Sequence, residues 1–307
     1  MMKSISNTLK TDRERYTVPK KVQDIIPIRR IWTDGIFLVG NKYAKSWKFT
    51  DINYLVASRS DKESMFLTYS EVLNGLDSGA CTKITINNHH MKQSDFEDSV
   101  LMAPKSDGLN MYRDEYNRVI LDKAMDANGI VQEKYVTVTV GKKNIEEARN
   151  YFARVETDLV AHYAALGSKC APMDADERLR ALHDFYRCGE DSDYAFDIRT
   201  AARHGHDFKD YICPDNVEVK ADHLKLGNRY ARVFYLKDYA SYIRDSFVAE
   251  LTEISGNMML SIDILPVPTD EAVREVENRL LGVETNITNW QRKQNQNNNF
   301  SAVVPYD

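Results

Sequence analysis

One fourteen-residue pattern occurs twice in this chain, and any fold must accommodate both copies. Residues 39–52 align without gaps on residues 226–239, with Gly40/Gly227, Asn41/Asn228, Tyr43/Tyr230, Ala44/Ala231 and Asp51/Asp238 identical. Lys/Arg replacements and the aromatic pair Trp47/Phe234 preserve character at other positions. Gly-Asn between apolar runs signals a tight hairpin. A short strand pair precedes each copy; an amphipathic helix and an apolar strand follow it. The spacing therefore predicts a duplicated hairpin–helix–strand unit, with a later helix over 241–254 and strands 82–86 and 258–265 as equivalents. Trp47 and Phe234 should then occupy matching sheet positions.

The intervening sequence alternates between the two periodicities. Asp34-Gly35 should turn a strand over 25–32 into its return at 36–39. Ser60 and Glu63 form a capping box for a helix burying Met65, Tyr69, Val72, Leu73 and Leu76. Leu109, Tyr112, Tyr116, Val119 and Ile120 mark the apolar stripe of another helix. Residues 135–140 form a period-two strand rich in Val and Thr. Asn144 caps a long helix whose stripe is Phe152, Val155, Leu159 and Leu166, ending at Gly167. Asp174 and Glu177 open a shorter helix through Leu179, Leu182 and Phe185, and Gly189 closes it. Residues 189–210 are polar and read as an irregular boundary. In the last helix Val273, Val276, Leu280, Val283, Ile287 and Trp290 recur at spacings of 3 and 4, an a/d seam of about 2.5 heptads. Packing against its own sheet is the expected role of that seam, with helix-to-helix assembly the alternative. Residues 291–299 are a Gln/Asn tract that reads as a linker.

These elements define an α+β fold, two lobes of mostly antiparallel sheet with packed helices, containing the duplicated unit. The expected division is a basic arm over 1–24, a first lobe with a helical insertion over 25–200, a second lobe over 201–293 and a linker over 294–307.

Of 307 residues, 43% are hydrophobic and 28% charged, enough for a sizeable core and too balanced for a disordered chain. No apolar run approaches the ~18–20 residues of a membrane span, and the first thirty residues lack a signal-peptide core. Cys81, Cys170, Cys188 and Cys213 are widely spaced and suit free thiols in a reducing cytoplasm. Residues 1–30 carry eight Lys/Arg against three acids, whereas the whole chain is −5. Pro19 and Pro27 bracket this leader as an extended arm, on which Arg13, Arg15, Lys20 and Lys21 are candidate docking residues for anionic lipid or an acidic partner.

No catalytic constellation appears. Gly40-Asn41-Lys42 and Gly141-Lys142-Lys143 lack the rest of a phosphate-binding loop, and neither a dinucleotide fingerprint nor a nucleophile elbow occurs. His204 and His206, with Cys213 downstream, match no structural zinc spacing. His89-His90 reads as exposed at a strand end. His183 could partner Cys188, but no third residue completes a nucleophilic site. Within residues 42–48, alternation should put lysines on one face and aromatics on the other, which argues against direct nucleic-acid binding. No catalytic, metal or cofactor-binding residue is therefore expected in this chain.

Residues 19–27 (PKKVQDIIP), 206–215 (HDFKDYICPD), 227–251 and 259–307 (MLSIDILPVPTDEAVREVENRLLGVETNITNWQRKQNQNNNFSAVVPYD) carry a family resemblance. They resemble the N-terminal region of the VirB/TrbE/CagE/TraC-type conjugation ATPases of type IV secretion systems, in the form found on Gram-positive conjugative transposons. The likeness covers essentially the whole chain and rests on long segments, so it transfers no active-site residue. It implies a chain truncated before a RecA-like ATPase domain, where ATP and magnesium would bind. It further implies docking to inner-membrane subunits of the secretion platform, self-association of the full-length protein, and a cytoplasmic location at the inner face of the membrane. The alternative is a DNA-contacting accessory module of the same machinery.

Overall fold

The computed structural model describes residues 19–54, 56–90, 100–126, 130–187, 196–205, 207–238, 240, 242–244, 246–254 and 256–296. The chain is α+β, and every strand pair among the described residues is antiparallel.

Strands β1 (Ile28–Ile31) and β2 (Phe37–Val39) form the first hairpin. Trp32 and Ile36 pair at its mouth, and Gly35 donates to the Trp32 carbonyl at 3.0 Å with φ of 77°. Only glycine fits there, because a Cβ would sit 2.0 Å from the Met173 carbonyl oxygen. Gly40, at φ 58°, turns β2 into β3 (Lys42–Phe49). Helix α1 (Arg59–Asn74) follows, then β4 (Ala80–His90), α2 (Asn110–Asp126), β5 (Ile130–Val140), α3 (Ile145–Ala165) and β6 (Cys170–Pro172).

The sheet runs β1-β2-β3-β5-β4-β10, where β10 is Met258–Ile264, with β6 pairing the far end of β3. Within it, β3-α1-β4-β5-α3-β6 has spatial order β6-β3-β5-β4, the split βαβ or ferredoxin-like arrangement. Helix α2 is an insertion between β4 and β5. Its expected apolar stripe faces solvent instead: Leu109, Tyr112, Tyr116 and Val119 are exposed.

Two cores flank the sheet. In the first, Trp47, Val136, Val138 and Val140 meet Val72 of α1 and Ala148, Phe152, Leu159 and Tyr163 of α3. Trp47 is fully buried, with Phe152 6.2 Å away between ring centroids. Asn144 caps α3 by accepting from the Glu147 amide, and Gly167 follows the helix at φ 82°. Helix α1 is capped by Ser58 rather than Ser60: the Ser58 hydroxyl accepts from the Asp61 amide, so the helix starts two residues earlier.

The second core lies under the β1–β2 hairpin. Leu179 of α4 (Ala175–Tyr186) packs there with Ile26, Ile28, Phe37 and Ile212. The Asp174/Glu177 capping box forms as expected, whereas Gly189 lies outside the described residues. The stretch expected to be irregular instead contains α5 (Ile198–His204) and α6 (Lys209–Ile212). Lys209 Nζ donates to the Gln23 and Ile26 carbonyls at 3.1 and 3.0 Å. The end of the basic leader is therefore docked: residues Val22–Ile25 form a 3-10 turn and Ile26 is buried.

Among the described residues a separate sheet contains only β7 (Val217–Val219), β8 (Leu224–Leu226) and β9 (Arg229–Ala231). Gly227 turns β8 into β9 at φ 53°, matching Gly40. The correspondence ends there. Phe234 is outside any strand and 84% exposed, where Trp47 is 0% exposed. The second helix is only α7 (Phe247–Thr252), shorter than the expected 241–254. Strand β10 (Met258–Ile264) joins the first sheet beside β4, so residues on both sides of 200 share one sheet and one core. Helix α8 (Thr269–Gln296) closes the described chain, with Asp270 and Glu271 in its first turn.

Candidate functional site

The expected docking residues fall in different settings. Arg13 and Arg15 lie outside the described residues, while Lys20 and Lys21 are exposed just before the docked turn. His204 is exposed at the end of α5, and His206 and Cys188 lie outside the described residues. Among the described residues no group of three His, Cys, Asp or Glu side chains is arranged to hold a metal ion. No described helix is long and apolar enough to cross a membrane.

The densest ionisable cluster is one that sequence reasoning missed. Lys48 on β3, His89 on β4, and Glu133 and Tyr135 on β5 share the sheet face opposite Trp47, because register pairs Lys48 with Tyr135 and Asn87 with Glu133. Lys48 Nζ donates to Glu133 Oε1 at 2.6 Å, the Tyr135 hydroxyl donates to Oε2, and His89 Nε2 stands 3.5 Å from Oε2. Burial works against the Glu133 carboxylate, but donors from His89, Lys48 and Tyr135 outweigh it and hold its pKa at about 2. The same carboxylate raises the His89 pKa against the opposing effect of burial. Burial, reinforced by Glu133, keeps Tyr135 protonated. A carboxylate that already accepts from Lys48 and Tyr135, with the His89 imidazole beside it, has no free basicity at neutral pH. The cluster is thus a charge-assisted lock across three strands, sensitive to pH but not built for proton transfer. Beside it, Asn87 is buried and its Nδ2 has no acceptor among the described residues.

Other buried polar groups join elements. Asn88 Nδ2 donates to the Thr252 carbonyl at 2.6 Å, and Gln132 donates to Asn88 Oδ1 at 3.0 Å, tying α7 to the sheet. Arg178 of α4 donates to the Gly35 and Ala44 carbonyls at 2.7 and 2.8 Å and lies 3.9 Å over the Phe37 ring. Burial lowers its pKa to about 9, which leaves it charged at pH 7. Burial also raises the Cys213 thiol and pushes Cys170 up to about 11, so both are poor nucleophiles.

A cleft of about 660 Å³ opens between β3 and α3, with Ile36, Phe152 and Val160 among its apolar lining. Its charged side chains pair internally, Lys45 Nζ with Glu156 at 2.9 Å and Arg149 with Asp34 Oδ2 at 2.7 Å, while Asp34 Oδ1 is buried with no hydrogen-bond partner among the described residues. Lys45 corrects one expectation. It shares the face of Tyr43 and Trp47, since all three are odd-numbered positions on one strand, and its ammonium sits 5.7 Å over the Trp47 ring.

Many large apolar side chains among the described residues are exposed. Tyr230, Val233, Phe234 and Tyr235 are each more than 70% exposed. On α8, Val273, Val276, Leu280 and Val283 are exposed, which overturns the expectation that this seam packs on its own sheet; Ile287 and Trp290 are half-buried. Comparison of the chain with protein-family models and with curated proteins finds no match.

Proposed function

We propose that this chain is a docking and assembly module, corresponding to the N-terminal domain of a type IV secretion ATPase involved in conjugative transfer. Its partners would be inner-membrane platform subunits and neighbouring ATPase subunits, with peripheral contact at the inner face of the membrane. ATP and magnesium would belong to a RecA-like domain of the full-length protein. The observation that carries this reading is the exposed aliphatic and aromatic surface of residues 230–236 and α8. Large apolar side chains exposed in this number mark interaction sites. The test is co-purification of platform subunits with the chain and with the Val233→Ser/Phe234→Ser/Tyr235→Ser variant. Loss of co-purification in a variant of unchanged thermal stability is expected; platform subunits ignoring both proteins would overturn the reading.

A second reading, the DNA-contacting accessory module, is favoured by one feature of the same strip. Arg229, Tyr230, Arg232, Phe234, Tyr235 and Lys237 are all exposed, so bases and aromatics are not segregated there as they are expected to be on a buried strand. Fluorescence anisotropy with a labelled single-stranded oligonucleotide decides it. Salt-dependent binding lost in Phe234→Ala/Tyr235→Ala supports this reading, and no binding at low salt removes it.

A further inference from the structure

We infer that other copies of this chain cover the α8 seam, in parallel and in register. This deepens the docking reading by naming one partner, and its failure would leave docking to platform subunits intact.

Val273, Leu280 and Ile287 occupy a positions, and Val276, Val283 and Trp290 occupy d positions. Four of these six are between 47% and 66% exposed. A helix keeps its shape in proteins chiefly by burying such a stripe, and α8 leaves most of it in water over 28 residues.

Charge selects the occupant and its direction. Flanking the seam, Glu277 and Glu284 are e positions, and Ala272, Arg279 and Asn286 are g positions. In a parallel pair each g residue faces the e residue five positions on in the other copy. Arg279 then meets Glu284 of the second copy, twice by symmetry, and no flanking pair is of like charge. An antiparallel pair over the same seam brings e against e, so Glu277 faces Glu284 twice. The seam is therefore complementary to itself only when parallel. Arg279 currently pairs with Glu275 at 2.6 Å, but both side chains are about half exposed or more, so exchanging that partner costs little. Gly282 falls at a c position on the outer face, clear of the contact.

Sedimentation velocity of the 307-residue chain over roughly a hundredfold concentration range tests this. Concentration-dependent mass above the monomer is expected, and Leu280→Asp should abolish it. Arg279→Glu and Glu284→Arg should each weaken association on the order of five- to thirtyfold, by placing like charges at both flanking contacts. Mixing those two variants should restore it, because each then supplies the charge the other lacks. Both substituted positions are solvent-facing, and unchanged thermal unfolding of each variant excludes a folding defect. A monomer at every concentration, or association indifferent to the charge reversals and their mixing, would overturn the inference.

Discussion

The two Gly-Asn hairpins begin alike and end differently. In both, a glycine at φ of 53–58° turns one short strand into the next. Beyond the turn, β3 runs to Phe49 and β9 stops at Ala231. The difference lies in the neighbours. All of Tyr43–Phe49 is paired with β5, and the other edge of β3 is shared between β2 and β6. Among the described residues strand β9 pairs only with β8. Where β3 places Trp47 beneath α3, the second copy leaves Phe234 in solvent; where β3 places Lys48 against Glu133, it leaves Tyr235 exposed. A strand's extent is set by its partners as much as by its own residues.

Substitutions at matched positions should break or sharpen that contrast. Trp47→Ala should cost about 3–5 kcal/mol in denaturant unfolding, through lost burial and a cavity against Phe152. Its counterpart Phe234→Ala should stay within about 0.5 kcal/mol. Equal losses at the two sites would mean that the second hairpin carries a core of its own.

Gly35→Ala should cost roughly 3 kcal/mol, combining a left-handed backbone with collision against the Met173 carbonyl. Gly40→Ala, where a Cβ meets open space, should cost only about 1 kcal/mol by the same measurement. If Gly35→Ala were as mild, the hairpin would not be pinned to the start of α4.

Glu133→Gln should cost about 2 kcal/mol at pH 5–6 by removing the charged acceptor shared by Lys48 and Tyr135 and the negative charge beside His89. It should also flatten the dependence of stability on pH. The His89 pKa is raised in the folded state, so its contribution is complete below about 6.5 and is lost as pH rises through the folded value. Glu133 is depressed, so its contribution is present above the ordinary carboxylate range and is lost as pH falls towards about 2. Denaturant midpoints of both proteins between pH 3 and pH 9 check this, and parallel profiles would refute the lock.

The smallest effect is expected in α2. Tyr112→Ser, on an exposed insertion, should change stability by less than about 0.5 kcal/mol. A larger loss would show that the insertion packs on the body.

Local chemistry made much of this fold legible in the sequence. The caps at Asn144 and Asp174, the turns at Gly35 and Gly40, the alternation of β5 and the seam of α8 depend on residues a few positions apart. Hydrogen-bond reach and backbone sterics decide such features, and both are written in neighbouring side chains. What faces what was decided only in the tertiary structure. Lys48, His89, Glu133 and Tyr135 come together only once strand order and register are known, and no periodicity within one strand encodes them. The burial of Trp47 and exposure of Phe234 have the same origin: similar segments met different partners. The choice of β4 as the partner of β10 likewise brought residues 258–264 into the first sheet, while Val273, Val276, Leu280 and Val283 of the following helix stay exposed. Pairing between distant strands rewards only the finished arrangement, so the segment itself carries no local sign of it.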